Sequence, residues 1–439
     1  MKRIPVVTVF VEHRLRLLVL KRSAGVRSYP GLWHGVSGTI EGSPLDQARR
    51  ELRQELGLRA EQVPILRQGA AFEVDDDEAD VHVLVHPVLA HLSDPAAIQL
   101  NWENDELRWI EPTELRSLAS VPQLEEAYRR VDPLTSETDD ERFATEMQAI
   151  AGDLISGSAE LATQALETMR RAAIDWFARD PERALARLEA LAAQAVELRP
   201  SMAAVGNLTL RLIDELRRAA AEGADPLELR ETCFRFSQRL VERQESAIER
   251  IAELLGKRLA DRRNVLIHSY SSTVVRAMAR AKPELERVVV TESRPGMEGR
   301  RTAQALARAG FDVELIVDAA AAHWMERVDA IVVGCDSILD DGSVINKIGT
   351  RMLALLAANQ GTPVFVVADS LKFQLSVPAD EVPLEEKDPD EVYMGPPAGV
   401  SPRNLYFDRT PARWITRYIT ERGDVTADEL YRSMETSSS

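Results

Sequence analysis

Short apolar runs separated by polar turns open the chain and predict a β-rich first region. Val6–Val11 and Leu17–Leu20 are typical of strands, and a third run ends at Pro112, since proline stops a strand. A polar and acidic stretch, residues 131–142, follows and is typical of a linker. The pattern therefore predicts one domain over residues 1–130 with a boundary directly after it.

The pattern changes to helical periodicity over residues 143–263, where alanine, leucine, glutamate and arginine are abundant. Breaks near Pro181, Pro200 and Pro226 divide this region into several helices. Because no apolar heptad runs unbroken through it, a packed bundle is favoured over an extended coiled coil. Two of these helices are also candidates for an oligomer interface, and the sequence does not separate the two uses.

Apolar β-rich runs alternate with helical ones over residues 264–430, and residues 431–439 form a short tail. Strand and helix in repeated alternation predict a parallel sheet covered by helices. The fold class is therefore α/β and multidomain, with a helical bundle that leads into a Rossmann-like parallel-sheet domain. The predicted strands of that domain are Val265–Ile267, Val288–Val290, Val313–Ile316, Ala330–Val333 and Val364–Val367.

A short charged helix is predicted after the first strands. Ser43 is a suitable N-cap, Pro44 fits the first turn, and Gly57 ends the helix. Glu51 and Glu55 are four residues apart, so both carboxylates leave the same face and suit a hard divalent cation. For an isolated pair of glutamates, a solvated charged face is the commoner arrangement.

The residues around this helix resemble the Nudix box. The resemblance implies an α/β/α sandwich that hydrolyses a nucleoside diphosphate derivative. It also implies that Glu51 and Glu55 hold Mg²⁺ or Mn²⁺, and that Arg50 orients a glutamate. The matching residues are Arg50, Glu51, Leu52, Glu55, Gly57 and Leu58, preceded by the stretch Tyr29–Gly38 as in Nudix relatives.

Two departures from the box fall on its metal ligands. Gln54 replaces the first of the paired glutamates, and the loop after Gly38 is two residues short. The shorter loop leaves Glu41 as the nearest carboxylate for the early glutamate position, so Gln54 and Glu41 complete the implied metal set. An amide oxygen still coordinates magnesium, but the site loses a charge and is expected to bind the metal more weakly.

Charge and cysteine content limit the partners and the compartment. The net charge of −17 and the lack of a basic tract argue against direct nucleic-acid binding. Cys233 and Cys335 are the two cysteines, too few for a disulfide framework, which indicates a reducing compartment. Neither a signal peptide nor a membrane-spanning apolar run is evident, so we expect a cytoplasmic protein without a membrane partner.

Polar clusters follow the predicted strands of the last region. Ligands bind beyond the carboxyl ends of strands in open parallel sheets, which makes these clusters candidates for a site. Arg294, Arg300 and Lys347 supply positive charge that suits a phosphate. Asn346 and Asp336 suit sugar hydroxyls. Taken singly, each charged residue is more commonly a solvated loop residue, but four clusters in order strengthen the binding interpretation.

Together these clusters resemble the family that holds the alpha, beta and delta subunits of eukaryotic translation initiation factor 2B, ribose-1,5-bisphosphate isomerase and methylthioribose-1-phosphate isomerase. The resemblance implies a phosphorylated sugar or nucleotide as ligand, with His268 and Ser269 at the site. It also implies a homo-oligomer, either a dimer or a larger even-numbered assembly. In the isomerases a cysteine occupies the position of Ser269 and works with an aspartate that matches Asp336. A serine hydroxyl is far less acidic than a thiol and is a poor substitute.

Two functions therefore stay open. The first is a Nudix-type hydrolase of a nucleoside diphosphate derivative, fused to a domain that binds a phosphorylated sugar or nucleotide. The second is a non-catalytic regulatory protein in which both halves bind such ligands without turnover. Aldose–ketose isomerisation is the least favoured function because of Ser269.

Overall fold

The computed structural model describes residues 2–76, 81–92, 94–132, 140–153, 156–375 and 377–430. The predicted tail and most of the predicted linker lie outside these ranges. The chain divides into two compact units. The first comprises Met1–Asp140, Arg170–Arg187 and Glu215–Gln238, and the second comprises Glu141–Met169, Leu188–Asp214 and Arg239–Ser439.

An eight-stranded sheet forms the first unit, with the strand order β3-β2-β1-β7-β5 and with β4, β6 and β8 paired to β1, β7 and β2. The pair β1 and β7 is parallel, and the other pairs are antiparallel. The strands are β1 (Lys2–His13), β2 (Arg16–Arg22), β3 (Trp33–His34), β4 (Val36–Thr39), β5 (Ile65–Gln68), β6 (Phe72–Asp76), β7 (Val81–His91) and β8 (Asn104–Ile110).

Helices cover both faces of this sheet. Successive residues of β1 face opposite sides, so its side chains enter two different cores. Val9 packs in one core with Leu52 of α1 (Pro44–Leu56). Phe10 packs in the other core with Ala127 of α2 (Leu124–Arg129). The α/β/α sandwich implied by the Nudix resemblance is therefore confirmed.

Five helices follow, and the prolines that predicted the breaks lie at their ends. Pro181 and Pro226 begin two helices, and Pro200 comes just after the end of another. A proline is tolerated in the first turn of a helix because its missing N–H has no partner there. In the described part of the chain, no helix is long and apolar enough to cross a membrane. The helices are α3 (Asp140–Gly152), α4 (Ser158–Arg179), α5 (Pro181–Leu198), α6 (Ala203–Ala221) and α7 (Pro226–Leu259).

A seven-stranded sheet forms the centre of the second unit, with the order β11-β10-β9-β12-β15-β18-β19. All its pairs are parallel except the edge pair β18 and β19. The strands of this unit are β9 (Asn264–His268), β10 (Arg287–Thr291), β11 (Val313–Ile316), β12 (Ala330–Val333), β13 (Ser337–Leu339), β14 (Val344–Lys347), β15 (Val364–Val367), β16 (Phe373–Gln374), β17 (Phe407–Thr410), β18 (Arg417–Thr420) and β19 (Gly423–Val425). The five strands predicted from sequence are thus confirmed, and they form the predicted parallel sheet.

Helices pack on both faces of this sheet as well. On one face Val265 of β9 packs with Leu255 of α7. On the other face the next strand residue, Leu266, packs in a core with Leu353. The fold is a doubly wound α/β domain, which places loops at the carboxyl ends of the parallel strands. Its further helices are α8 (Ser272–Ala281), α9 (Gly299–Arg308), α10 (Ala321–Trp324) and α11 (Thr350–Gln360).

A second, four-stranded sheet of the order β16-β13-β14-β17 was not predicted. Its strands are two to four residues long, so they contain too few residues to show an alternating pattern. All four residues of β14 are buried. Asn346 and Lys347, which the sequence placed in a loop cluster, are therefore held on a strand.

Candidate functional site

The charged helix α1 begins and ends as predicted. The Ser43 hydroxyl accepts a hydrogen bond from the Asp46 N–H at 3.1 Å. At the other end Gly57 adopts a left-handed conformation with φ 69°, and its N–H donates to the Arg53 carbonyl. These caps satisfy backbone groups that the helix itself leaves without partners. They fix the direction in which Glu51 and Glu55 project.

Glu55 lies buried beneath the helix, with 2% of its surface exposed. Its carboxylate accepts hydrogen bonds from the Ser37 N–H on β4 and from the Asn104 amide on β8, both at 2.9 Å. Burial raises the pKa of Glu55 to about 7, and the neighbouring charges of Glu51 and Glu103 raise it further against these hydrogen bonds. Charge on this carboxylate is therefore costly unless a cation is bound.

Glu51 is half-buried and occupies the space above Gly38. A Cβ at residue 38 would lie 1.8 Å from Glu51 Oε1, so a larger residue there would displace the Glu51 carboxylate from this position. Gln47 Nε2 donates a hydrogen bond to the same carboxylate at 2.6 Å. Burial raises the pKa of Glu51, and the charge of Glu103 adds to this effect. The third carboxylate in electrostatic range of the pair is therefore Glu103.

The other residues of the implied metal set lie elsewhere. Gln54 and Glu41 are exposed, and in the described part of the chain neither makes a hydrogen bond to Glu51 or Glu55. Arg50 donates to the Glu41 carbonyl at 2.6 Å and to the Gln47 side chain at 2.5 Å, rather than to a glutamate carboxylate. Roles for Gln54, Glu41 and Arg50 at a metal stay predictions.

The donor set suits a magnesium ion that keeps much of its hydration. Among the described residues, no group of three or more histidine, cysteine, aspartate or glutamate side chains is arranged to hold a metal. Magnesium is usually bound by one or two carboxylates, together with waters and substrate phosphates. Glu51 and Glu55 supply two hard oxygen ligands whose pKa values are both raised. The residues present therefore fit a divalent cation.

A second candidate site is a small cavity of about 50 Å³ in the second unit. Of the predicted ligand residues, Ser269, Asp336, Asn346 and Lys347 line it. They come from the carboxyl ends of β9 and β12 and from β14. The cavity has room for only a few water molecules, so a phosphorylated sugar requires side chains to move.

Lys347 is the cationic group of this cavity. Its side chain is 4% exposed, and its ammonium lies 2.6 Å from Glu298 Oε1 and 3.2 Å from the centre of the Tyr406 ring. Burial lowers the pKa of Lys347, and the Glu298 charge opposes this. Burial also raises the pKa of Asp336. Strongly perturbed groups that share a cavity are typical of functional sites.

Ser269 lies at the end of β9 in the left-handed region, with φ 66°. Such a conformation is strained for a residue other than glycine and is held by its surroundings. The Ser269 N–H donates to Ser293 Oγ and its carbonyl accepts from Thr302 Oγ1, both at 2.8 Å. These bonds hold the backbone so that Ser269 lines the cavity.

His268 does not line the cavity, although it is adjacent to Ser269. Its Nδ1 lies 2.6 Å from Thr291 Oγ1, and its Nε2 lies 3.0 Å from the Ile348 carbonyl. A carbonyl only accepts, so Nε2 carries the proton. Burial lowers the pKa of His268, which keeps the ring neutral. Both ring nitrogens are engaged within the fold, and neither is directed to the Ser269 hydroxyl.

Arg294 and Arg300 also lie outside the cavity. The Arg300 side chain is 60% exposed and lies 3.7 Å from Glu292. Arg294 is exposed, and its guanidinium donates to the Glu391 carbonyl at 3.3 Å. The focused positive charge expected from three residues is thus supplied in the cavity by Lys347 and by Arg199. Roles for Arg294 and Arg300 in ligand binding stay predictions.

Arg199, Glu298 and Tyr406 line the cavity without having been predicted there. Arg199 is 1% exposed, pairs with Glu385 at 3.0 Å and donates to the Ile150 carbonyl. It comes from the junction between α5 and α6, near the lining residue Met202 but far in sequence from Lys347. Its one local signal is a position directly before the predicted break at Pro200.

The similarities to known protein families fall on two successive parts of the chain. Residues 154–427 match the Initiation factor 2 subunit family, and residues 1–133 match the NUDIX domain. Ribose 1,5-bisphosphate isomerase from Thermococcus kodakarensis is 34% identical over 235 residues, which are 52% of this chain and 73% of that protein.

Two solved structures resemble the chain. The translation initiation factor eIF-2B from Pyrococcus horikoshii OT3 is 28% identical with a TM-score of 0.56, and the match covers 65% of this chain and 97% of that chain. The 5-methylthioribose 1-phosphate isomerase from the same organism is 26% identical with a TM-score of 0.54, and the match covers 67% of this chain and 86% of that chain.

Proposed function

The chain belongs to the Initiation factor 2 subunit family and begins with a NUDIX domain, and from this we propose a metal-dependent diphosphate hydrolase joined to a sugar-phosphate-binding domain. The observation that carries the hydrolase half is the carboxylate group of Glu51, Glu55 and Glu103. Burial and the neighbouring negative charges raise the pKa values of Glu51 and Glu55, and in the described part of the chain neither carboxylate forms an ion pair within 4.0 Å, although the charge of Arg50 acts on Glu51. Such a group is stabilised by a divalent cation.

The reaction is addition of water across the anhydride of a nucleoside diphosphate derivative. A bound divalent cation would neutralise charge on the diphosphate and favour ionisation of the attacking water. The hydroxyl joins one phosphorus, and the bridging oxygen leaves with the other phosphate and takes up the proton. Glu51 and Glu55 orient the cation, while Ser37 and Asn104 fix the Glu55 carboxylate through their hydrogen bonds.

The second half of the proposal is that the Lys347 cavity binds a phosphorylated sugar. Lys347 and Arg199 offer charge for a phosphate, while Asp336 and Asn346 offer acceptors and donors for hydroxyls. Similarity to ribose 1,5-bisphosphate isomerase supports a phosphorylated pentose. A nucleoside diphosphate sugar would connect the two halves, since its hydrolysis releases a nucleoside monophosphate and a sugar phosphate.

We propose binding rather than isomerisation in this cavity. Ser269 stands where the resemblance implies a cysteine, and a serine hydroxyl requires a strong neighbouring base to ionise. His268 does not supply it, because both its ring nitrogens are engaged in other contacts. The variant Ser269→Cys tests whether the missing thiol is what prevents isomerisation. We expect ribose 1,5-bisphosphate to stay unchanged with the wild type, and conversion by the wild type would contradict the proposal.

The homo-oligomer implied by the resemblance is also a proposal. Met352 and Leu355 on α11 are 42% and 52% exposed, and because they are three residues apart they share one face of the helix. Light scattering after size-exclusion chromatography measures the assembly. We expect twice the chain mass or a larger even multiple, and a monomer at micromolar concentration would contradict it.

Turnover of a substrate panel tests the hydrolase. The purified chain is incubated with Mg²⁺ or Mn²⁺ and with nucleotide sugars, dinucleoside polyphosphates and other nucleoside diphosphate derivatives, and ³¹P NMR follows the products. Glu51→Gln/Glu55→Gln should lose roughly a thousandfold or more of the rate. Glu61→Gln is the matched control, because that carboxylate is exposed and outside both the group and the implied metal set. Absence of turnover with every substrate and both metals would contradict the hydrolase and leave a ligand-binding regulator.

A further inference from the structure

A second, larger cavity in the second unit is lined by arginines. Its volume is about 440 Å³, within the range of small-molecule sites. It lies beyond the carboxyl ends of β15 and β18, where α6 and α7 supply the facing wall. It shares no lining residue with the Lys347 cavity. The charged lining residues are Arg211, Arg243, Arg250, Arg422, Asp369 and Glu421.

The two carboxylates of this cavity bind backbone amides instead of arginines. Asp369 accepts from the Leu371 N–H at 3.0 Å, and Glu421 accepts from the Ser370 N–H at 3.0 Å. Both carboxylates therefore already have a backbone partner on the loop that follows β15. Four guanidiniums face two carboxylates that are already engaged, so positive charge is in excess.

Three of the arginines form no ion pair within the described part of the chain. Arg250 pairs with Glu253 at 2.5 Å. Across the described ranges, Arg211, Arg243 and Arg422 form no ion pair within 4.0 Å. Burial lowers the pKa of Arg211, and the charges of Arg422 and Arg243 lower it further, while the charges of Glu421 and Asp369 oppose this. This crowding occurs in a chain whose net charge is −17.

An unused donor lies in the same wall. Gln244 lines the cavity, and its side-chain nitrogen is buried without a hydrogen-bond partner in the described part of the chain. A buried donor without a partner is costly, and a bound acceptor would satisfy it. The unpaired guanidiniums and the free amide donor suit the same kind of ligand, namely an anion rich in oxygen acceptors.

We propose that this cavity is an anion site for a phosphate-bearing small molecule, separate from the Lys347 cavity. Guanidinium groups bind phosphate through paired N–H···O contacts, and several around one cavity suit a ligand with two or more negative charges. The lining residues come from α6, from α7 and from the segments after β15 and β18, and all of them belong to the second unit.

Calorimetric titration with inorganic diphosphate tests the site in the full chain, with EDTA present to remove divalent cations. Arg243→Gln/Arg422→Gln should weaken binding roughly tenfold or more, because each change removes a charge-assisted contact. Both side chains are exposed, so the variant should fold, and circular dichroism checks this. Arg27→Gln/Arg308→Gln is the charge-matched control and should bind like the wild type, since both arginines are exposed and lie outside the cavity.

Three results would overturn the proposal. They are no diphosphate binding by the wild type at millimolar concentration, unchanged binding by Arg243→Gln/Arg422→Gln, and equal loss in the control variant. Lys347→Gln should retain the binding; its loss there would assign the anion to the other cavity and also overturn the proposal. Adenosine diphosphate and ribose 5-phosphate, titrated in parallel, identify the carrier of the phosphate: tighter binding of either supports an organic phosphate, and equal binding supports the inorganic anion.

Chemical modification of arginine tests the same site in the wild-type protein, without any variant. Phenylglyoxal reacts with accessible guanidiniums, and mass spectrometry locates the modified residues. Diphosphate should protect Arg211, Arg243 or Arg422 and leave Arg27 and Arg308 reactive. Equal modification of all five arginines with and without diphosphate would contradict the site.

Discussion

The NUDIX carboxylate group and the Lys347 cavity both place charge inside the protein, but they balance it differently. In the first, Glu51 and Glu55 are buried or half-buried, and their neighbour Glu103 has the same sign of charge. In the second, Lys347 has its own carboxylate, Glu298, at 2.6 Å. Among the described residues, Glu51 and Glu55 form no ion pair, whereas Lys347 and Glu298 form one.

The difference teaches what each site needs from a ligand. Because the carboxylates repel one another, a divalent cation from solution stabilises the first group without breaking an internal ion pair. An anionic ligand in the Lys347 cavity must instead compete with Glu298 for the same ammonium. We therefore expect the stability of the first site to depend on metal and on pH. Ligand binding at the second site should depend instead on the ion pair between Lys347 and Glu298.

The largest effect is expected when Lys347 is replaced. Lys347→Met should weaken binding of ribose 5-phosphate roughly a hundredfold, because a charge-assisted contact to the phosphate is lost. Titration calorimetry measures this in an Arg243→Gln/Arg422→Gln background, which removes the proposed arginine site. Unchanged affinity would show that the Lys347 cavity does not bind the phosphate.

The internal ion pair supplies the control for that variant. Lys347→Met leaves Glu298 buried and unpaired, which should cost about 3–5 kcal/mol of unfolding free energy. Lys347→Met/Glu298→Gln should recover much of this unfolding free energy. It should still fail to bind ribose 5-phosphate. Glu298→Gln alone should bind about tenfold more tightly, because the competing carboxylate is gone. Weaker binding by Glu298→Gln would contradict the idea of competition.

A change of pH should alter stability through Glu55. Its pKa is about 7 in the folded chain, against an ordinary value of 4.5, so the folded state holds the proton more tightly. Stability contributed by this group is present below pH 4.5 and is lost as the pH rises to about 7. In EDTA, Glu55→Gln should therefore be more stable than the wild type by about 1–3 kcal/mol at pH 8.

Urea unfolding at pH 5 and pH 8 measures this difference. The advantage of Glu55→Gln should shrink at pH 5, where the wild-type carboxyl is protonated. Saturating Mn²⁺ at pH 8 should reverse the order, since only the wild type retains the full carboxylate pair. Equal stability of the two proteins at both pH values would show that Glu55 carries no unbalanced charge.

The smallest effect is expected at Glu103, which acts on the pair through its charge. Glu103→Gln should lower the pKa of Glu55 by less than about one unit, because the interaction is partly screened by solvent. The pH at which Mn²⁺ binding is half-maximal should fall by the same amount. An unchanged pH midpoint would show that the charge of Glu103 does not contribute. Burial and Glu51 would then be the causes of the raised pKa of Glu55.

Local signals explain which parts of the molecule the sequence predicts. Ser43, Pro44 and Gly57 define α1 because caps act over a few neighbouring residues. The parallel strands are predicted because each is a continuous buried apolar run between turns. Features of this kind predict the parallel sheet of the second domain, whereas the sandwich of the first domain was implied by its resemblance to the Nudix box.

The site residues that were missed come together only through the tertiary fold. Glu103 approaches α1 from the loop before β8, and Arg199 approaches the Lys347 cavity from the end of α5. No spacing in the sequence connects either residue to its site. Arg294 and Arg300 are the opposite case, since they are close to the site in sequence but are exposed outside the cavity.

Manganese binding tests the central claim most directly, namely that Glu51 and Glu55 form a carboxylate group that requires a cation. Electron paramagnetic resonance measures free Mn²⁺ during a titration of the full chain at pH 8 and pH 6. The account predicts binding at pH 8, weaker binding at pH 6, and roughly a hundredfold loss in Glu51→Gln/Glu55→Gln with little change in Glu61→Gln. Equal binding by the wild type and Glu51→Gln/Glu55→Gln at pH 8 would contradict it.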